Sequence, residues 1–268
     1  MIYTIYNIKN NLKIFNDIIL KNSFLNYLLL KGGQKMRNCY YDLFVKIKLL
    51  ENVHYKDLNS FLSNLINNSF LEDSKLKAMH KEKHIKGYVF SSLYPLEKDK
   101  LYKRDKEYFF NINSYDFVLL DRMRNCLKSK EFIIDVNMRV KEFKPIESLT
   151  SVTPCITSLE NARYWTKNDS LKELVKRINN NAKHKAINLF NVNKDEFSKN
   201  DNFIESIEIR NKSNIVINYK NSKLICYNVK INIRKDEMSQ FLANVCLSSG
   251  LGEKNSLGFG FCKEIEER

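Results

Sequence analysis

The chain has 268 residues, enough for one large domain or two smaller ones with buried cores. Its 45 Lys and Arg against 31 Asp and Glu give a net charge of +14, which is typical of proteins that bind a polyanion, although the wealth of Lys, Asn and Ile also fits compositional drift. The six cysteines form no C-x-x-C pair, which argues against a zinc site and a disulfide framework.

The N-terminal segment differs in character from the rest of the chain. Residues 1–35 are apolar and rich in Asn and Lys, and they predict a helix over Leu12–Leu30 closed by Gly32 and Gly33. One hypothesis is that they are an extension and that Met36 is an alternative start, which mass spectrometry of the native protein tests. No stretch approaches about 20 apolar residues and no basic-then-apolar leader is present, so we expect a soluble, cytoplasmic protein without a membrane partner.

Regular periodicity follows this N-terminal extension and predicts the order β-α-β-β-α-β over residues 36–144. Alternating apolar and polar residues indicate a strand over Tyr41–Leu49, and apolar residues at helical spacing from Leu58 onward indicate a helix capped by Asp57. The other elements are strands over Tyr88–Leu93, Tyr108–Ile112 and Phe132–Val140, and a helix over Tyr115–Leu127 capped by Ser114. This is the order of a ferredoxin-like domain.

The second half, residues 145–268, repeats this order with one additional short strand after a joint at Pro145–Pro154. Its predicted elements are strands around Thr153–Ser158 and over Phe203–Ile209, Ile215–Tyr219, Lys223–Ile233 and Phe259–Ile265, with helices over Leu171–Phe190 and Glu237–Leu247. We therefore expect an α+β fold of two tandem ferredoxin-like, or RRM-like, domains.

Two histidines, His80 and His84, lie between the first helix and the second strand of the first domain. As an i, i+4 pair they suit a metal ion only with a third ligand, and the surrounding lysines repel cations, so we expect no metal and no cofactor. The same positive charge favours a neutral imidazole that acts as a base, and Lys86 could stabilise charge on a phosphate. Together they suit attack of an RNA 2′-hydroxyl on its own phosphate; the alternative is a solvated basic loop.

Four of the seven glycines fall between Ser249 and Phe261, in the connection between the last helix and the last strand. Backbone N–H groups in such a glycine-rich loop can form a cup for a phosphate, and the alternative is a tight turn. Neither the P-loop pattern nor the dinucleotide-binding pattern is present. The residues that we predict to contact RNA backbone are Gly250, Gly252, Lys254, Asn255, Ser256, Gly258 and Gly260 in this loop, with Lys183 and Lys185 on a basic helix face.

Aromatic residues suited to base stacking cluster in the first domain, but paired aromatics on a strand are equally typical of a core. The candidates are Tyr88, Phe90, Tyr94, Tyr108, Phe109 and Phe110. The sequence does not choose between the two interpretations.

The run from Gly250 to Gly260 closely resembles the C-terminal glycine-rich loop of the CRISPR repeat-processing endoribonucleases, members of the RAMP superfamily. Val152-Thr153-Pro154 is also similar to the family's pattern, and the resemblance covers roughly residues 36–265. It implies metal-independent cleavage of precursor crRNA within each repeat, with a 2′,3′-cyclic phosphate and a 5′-hydroxyl as products.

The same resemblance assigns roles to residues of the first domain. Family members often place a catalytic histidine after the first helix and a lysine six residues later, before a strand reading aromatic-x-aromatic-Ser, as His80, Lys86 and Tyr88–Ser91 do here. His84 is the rival base. The tyrosine that some members carry on the first helix is missing from Ile66–Ser69.

Two other functions stay open at this point. Some relatives bind repeat RNA without cutting it, so the runner-up is a non-catalytic RAMP subunit of a CRISPR effector complex, with other subunits as partners. A general RRM-like RNA-binding protein is the third, and it leaves the glycine-rich loop unexplained. The sequence also leaves a homodimer open.

Overall fold

The computed structural model describes residues 39–82, 84–160, 162–197, 202–219 and 222–265. The predicted extension over 1–35, with its helix over Leu12–Leu30, lies outside the described residues. None of the helices in the described ranges is long and apolar enough to cross a membrane.

The first half contains a four-stranded sheet in the order β3-β5-β1-β6 and a small pair, β2-β4. The strands are β1 Cys39–Lys48, β2 Val53–His54, β3 Tyr88–Phe90, β4 Leu101–Tyr102, β5 Glu107–Ser114 and β6 Ile133–Glu142. The helices are α1 Leu58–Ser69, α2 Ser74–Lys81 and α3 Phe117–Lys128.

The second half contains a four-stranded sheet in the order β12-β7-β11-β8 and a hairpin, β9-β10. The strands are β7 Ser148–Ser151, β8 Ile204–Ile209, β9 Ile215–Tyr219, β10 Ser222–Cys226, β11 Val229–Ile233 and β12 Cys262–Ile265. The helices are α4 Leu171–Phe190 and α5 Glu237–Ser249.

Both sheets place the first and third of their strands in the centre and the second and fourth at the edges, as a ferredoxin-like βαββαβ order requires. The predicted α+β fold with two tandem ferredoxin-like halves is therefore confirmed. The domain limits 36–144 and 145–268 stay a prediction, because the chain from Tyr40 onward clusters as one compact unit.

The alternation in β1 builds the core of the first half. Leu43, Val45 and Ile47 are fully buried on one face of the strand, where they pack with α1 and α3. Phe44 and Lys46 lie between them on the opposite face and are half-buried. The first sheet therefore has a helix-covered face and a second face, which we call the outer face.

The strand predicted around Thr153–Ser158 is wrong, because the first strand of the second half is β7, inside the predicted joint. Two of its four residues are serines, so it lacks an apolar alternation. The chain after β7 turns instead to hold the glycine-rich loop: Thr153 Oγ1 accepts from the N–H of Phe261 at 2.8 Å, and the Pro154 carbonyl accepts from that of Gly260 at 2.9 Å.

The predicted cap of the second helix is also wrong. Asp116 caps α3, with its carboxylate accepting from the N–H groups of Val118 at 2.9 Å and Leu119 at 3.1 Å. Ser114 ends β5 instead, and its hydroxyl donates to the Gly87 carbonyl at 2.7 Å. This bond ties the start of α3 to the segment that leads into β3.

Two further differences concern element boundaries. The strand predicted over Lys223–Ile233 is two strands, because Tyr227 leaves the ladder to bridge to Cys155. The connection predicted after the first helix contains a short helix, α2, whose cap Asp73 accepts from the N–H groups of Lys75 at 2.9 Å and Leu76 at 3.0 Å. Its eight mostly polar residues give little apolar periodicity.

The glycine-rich loop joins the two halves. Asn59 on α1 donates through Nδ2 to the carbonyls of Leu257 and Gly258, both at 3.1 Å. Gly258 has φ +82°, and a Cβ there would lie 2.4 Å from the Phe90 ring. Nearby, Asn113 of β5 donates to the carbonyl of Leu247 at 3.0 Å. The backbone of the second half therefore lies directly against the first sheet.

Replacing Gly258 with alanine is expected to destabilise the fold by about 2–4 kcal/mol, since the added methyl group meets Phe90 and an L side chain is strained at this φ. Urea unfolding followed by circular dichroism measures the loss. Gly87→Ala is the matched control, because Gly87 has φ +73° but its nearest neighbour would be 3.3 Å away. Equal losses in both variants would contradict the close contact at Gly258.

Candidate functional site

A cleft of about 350 Å³ opens where α2, the start of α3 and the end of α4 meet. Its lining residues come from both halves of the chain: Lys75, Leu76, Met79, His84, Ile85, Lys86, Gly87, Tyr115, Asp116, Val118, Leu119, Arg122, Asn188 and Leu189. The cleft brings together two of the three predicted catalytic residues, His84 and Lys86, with a tyrosine that the sequence analysis did not assign.

Lys86 closes the C-terminal end of α2. Its ammonium donates to the carbonyls of Met79 and Glu82, the latter at 2.5 Å, and lies 3.4 Å from that of His80. A cation is favourable there because the last carbonyls of a helix lack partners and carry partial negative charge. Burial lowers the pKa of Lys86, and the Glu82 carboxylate opposes that shift.

His84 faces the cleft beside a carboxylate. Its Nδ1 lies 2.9 Å from Oε2 of Glu82, an arrangement that orients the ring and supports a proton at Nδ1. Both side chains are accessible to solvent, with 45% of the His84 side chain and 62% of the Glu82 side chain exposed. Nε2 is then the nitrogen available as a base.

His80 lies on the last turn of α2 and is exposed; it does not belong to the cleft lining. Because α2 ends at Lys81, His80 and His84 do not share one helical face as an i, i+4 pair would. Across the described parts of the chain, no group of three or more His, Cys, Asp and Glu side chains is arranged to hold a metal ion.

Tyr115 is the cleft residue that sequence reasoning missed. The Ser114 hydroxyl bond to Gly87 places Tyr115 beside that glycine, and its ring packs on Phe190 of α4 at a centroid distance of 4.6 Å. Burial, and then the charge of Asp116, raises the pKa of Tyr115, so its phenol stays protonated near neutral pH and can donate a hydrogen bond. Tyr115 lies close to Gly87 because Tyr88 pairs with Ser114 across β3 and β5, and local sequence patterns do not show this pairing.

The glycine-rich loop uses much of its backbone internally and does not form an open cup. The N–H of Leu251 bonds to the Gly260 carbonyl at 2.8 Å and that of Glu253 to Ile156 at 2.9 Å, while Asn255 Nδ2 donates to Leu251 at 3.1 Å and to Phe259 at 2.9 Å. The four glycines Gly250, Gly252, Gly258 and Gly260 are buried. Its accessible part is Lys254, which is exposed, with the half-buried Asn255 and Ser256.

Lys185 does not lie on the exposed basic face that the sequence analysis expected. It is only 2 % exposed, and its ammonium donates to the carbonyls of Gly250 at 2.5 Å and Gly252 at 2.8 Å. Burial lowers its pKa to about 8. Lys183, two residues earlier, is half-buried with its ammonium 5.6 Å from the centroid of the Phe197 ring.

Solved structures show that this class of fold, two ferredoxin-like halves in tandem, occurs in CRISPR-associated proteins. A structure of CRISPR associated protein Cas6 is 18% identical, covers 85% of this chain and 99% of its own, and has a TM-score of 0.63. The product of a Cas6-related gene from Pyrococcus furiosus is 17% identical over 85% and 99%, with a TM-score of 0.61. A RAMP protein described as binding different RNA substrates is 15% identical over 85% and 99%, with a TM-score of 0.59.

At these identities the structures establish the fold alone, and no curated protein matches the chain. Residues 135–264 match the family described as CRISPR associated protein Cas6, C-terminal. These residues are therefore similar to the C-terminal part of Cas6 proteins, and the resemblance inferred from the glycine-rich loop is confirmed.

Lys185→Met is expected to lower the free energy of unfolding by about 1–3 kcal/mol at pH 7, because two buried carbonyls lose their donor. The folded-state pKa of about 8 lies below the ordinary 10.5, so between these values the native state binds fewer protons than the unfolded state. Wild-type stability therefore rises relative to the variant from about pH 8 to 10.5, and below pH 8 the difference between the two proteins does not change with pH through this group.

Urea unfolding of both proteins across that pH range tests this prediction. Lys176→Met is the control on the same helix, since the Lys176 side chain is 62% exposed, and it should change stability by less than about 0.5 kcal/mol. Parallel pH profiles for wild type and Lys185→Met would show that the ammonium is not held as described.

Proposed function

We propose that this protein is a metal-independent endoribonuclease that binds CRISPR repeat RNA and cleaves precursor crRNA within its repeats. The observation that carries the proposal is the grouping of His84, Lys86 and Tyr115 on one cleft. The Cas6 family match over residues 135–264 and the RNA binding stated for a RAMP protein of the same fold support the choice of RNA.

In this mechanism His84 acts as the general base. Its Nε2 takes the proton of a 2′-hydroxyl, the 2′-oxygen attacks the adjacent phosphorus, and the bond to the 5′-oxygen breaks as that oxygen takes up a proton from solvent water, while the proton on His84 returns to solvent. The products are a 2′,3′-cyclic phosphate and a 5′-hydroxyl. His80, the first choice from the sequence, is the rival base and requires α2 to shift its last turn toward the cleft.

The cleft supplies two further groups for the phosphate. The ammonium of Lys86, fixed at the end of α2, provides positive charge near the pentavalent transition state. The protonated phenol of Tyr115 provides a hydrogen-bond donor for a non-bridging oxygen. This assignment fills the third role that the first helix, which has no tyrosine over Ile66–Ser69, leaves vacant.

Outside the cleft, solvent-accessible residues of the second half contact the RNA backbone in this proposal. Lys254, with Asn255 and Ser256, is the accessible portion of the glycine-rich loop, and Lys183 lies on α4. The buried glycines act indirectly, since they let the loop fold against the first sheet and present Lys254.

One observation favours a non-catalytic RAMP-type subunit as the second candidate. The Lys86 ammonium is bonded to backbone carbonyls at the end of α2, as a purely structural lysine would be. In that case the protein binds guide RNA as part of an effector complex, with other subunits or a second copy of the chain as partners.

The decisive experiment measures single-turnover cleavage of the protein's own repeat RNA in EDTA. His84→Ala is expected to reduce the rate about 10²–10⁴-fold because it removes the general base, while RNA affinity is retained. His184→Ala is the matched control, since His184 is exposed on α4 outside the cleft.

The other outcomes of this experiment distinguish the rival base, a metal-dependent mechanism and a non-catalytic subunit. A comparable loss of cleavage rate in His80→Ala, with full activity in His84→Ala, would show that His80 is the general base. Full activity in both variants contradicts a histidine base, cleavage that stops in EDTA contradicts the metal-free mechanism, and tight binding without cleavage identifies the non-catalytic subunit.

A further inference from the structure

The outer face of the first sheet carries a row of aromatic side chains that the proposed mechanism does not use. Phe44 of β1 and Phe109 of β5 lie on this face, since their strand neighbours occupy the core. Tyr94 extends the row beyond β5: its N–H and carbonyl both bond to Phe109, at 2.8 Å each. We call Tyr94, Phe109 and Phe44 the aromatic row.

The rings of the aromatic row are close enough to form a continuous surface. The centroids of Tyr94 and Phe109 are 5.1 Å apart, and those of Phe109 and Phe44 are 5.0 Å apart. Phe44 and Phe109 are half-buried, while Tyr94 is 55% exposed. A ligand approaching this face therefore meets π-surfaces that start at the edge of the sheet and run to its centre.

A guanidinium group stands at the inner end of the row. The Arg139 Cζ lies 5.4 Å from the centroid of Phe44, and its Nη2 bonds to the buried Asp42 carboxylate at 2.6 Å. Asn111 donates to the other oxygen of Asp42 at 2.5 Å. Asp42 thus holds the Arg139 guanidinium over the Phe44 ring, and guanidinium groups beside aromatic rings are suited to contacts with bases and phosphates.

The structure separates this row from the aromatics that only fill the core. Tyr88, Phe90, Tyr108 and Phe110 are at most 3% exposed and pack with α1 and α3. Helix α5 covers the other end of the outer face, where Asn113 bonds to Leu247, but Tyr94 keeps more than half of its surface in solvent. Packing in the core explains the four buried aromatic residues, but it does not explain why the Tyr94 ring is exposed.

We propose that the aromatic row is a base-stacking platform for a single-stranded segment of RNA. Sheet-borne aromatics that stack two or three bases, with cations beside them for the phosphates, are a general solution for single strands. The proposal rests on the proposed function only in taking RNA as the ligand; the row shares no residue with the cleft.

Charge favours RNA over a protein partner as the occupant. By alternation the outer face has a small excess of cations, with Lys46, Lys48, Arg139 and Lys141 against Asp42, Glu107 and Asp135. The chain as a whole carries a net charge of +14. Lys46 and Arg139 are held in place by Glu107 and Asp42, at 2.6 Å in each case. Cations interleaved with aromatic rings match a strand of phosphates and bases better than an apolar peptide.

The test measures affinity of the full chain for a fluorescein-labelled oligouridylate of about eight nucleotides by anisotropy, at fixed salt. Tyr94→Ala is expected to weaken binding about 5- to 100-fold through loss of one stacked base, while Tyr94→Phe stays within about two-fold of wild type. Leu71→Ala is the control, because Leu71 is 63% exposed and lies on the turn after α1.

Unchanged affinity of Tyr94→Ala overturns the platform, even if a protein is later found to cover this face. Cleavage of repeat RNA separates the two proposals, since Tyr94→Ala should raise the enzyme concentration needed for half-maximal cleavage, whereas His84→Ala should lower the rate without changing oligouridylate affinity. If the wild type cleaves no repeat RNA but still loses oligouridylate affinity in Tyr94→Ala, the endoribonuclease is refuted and the platform stands.

Discussion

The ammonium of Lys185 is buried between α4 and the glycine-rich loop, where it binds the carbonyls of Gly250 and Gly252. A buried charge is costly unless strong acceptors replace its water, and these two carbonyls do so. The bond fixes the start of the loop on α4, and the end of the loop then rests against the first sheet through Gly258 and Asn59. The contact between the two halves follows from this one constraint.

The cleft depends on that contact because its walls come from both halves. The last turn of α4 contributes Leu189 and supports the Tyr115 ring through Phe190, while α2 and the segment before β3 contribute His84 and Lys86. The glycine-rich loop joins the halves and contributes no residue to the cleft, and in the proposed function its exposed Lys254 contacts RNA backbone. The aromatic row lies on the outer face of the first sheet, shares no residue with the cleft, and in our proposal stacks unpaired bases.

The sequence predicted features that depend on local pattern and missed those that depend on pairing between distant segments. The bounds of α4 agree with the predicted Leu171–Phe190, because apolar residues recur there at helical spacing. β7 was missed because two of its four residues are serines, which give no apolar alternation. Tyr115 was missed because it meets Gly87 only through the register of β3 and β5. Lys185 was assigned to RNA because periodicity could not show which face of α4 the loop covers.

The central claim is that RNA is cut by its own 2′-hydroxyl, activated at the His84 cleft. The most direct measurement compares repeat RNA with the same RNA carrying a single 2′-deoxy nucleotide at the scissile position, for both binding and single-turnover cleavage in EDTA. The account predicts unchanged affinity, no cleavage of the deoxy substrate, and a 2′,3′-cyclic phosphate on the product of the natural one. Cleavage of the deoxy substrate at that position would contradict it.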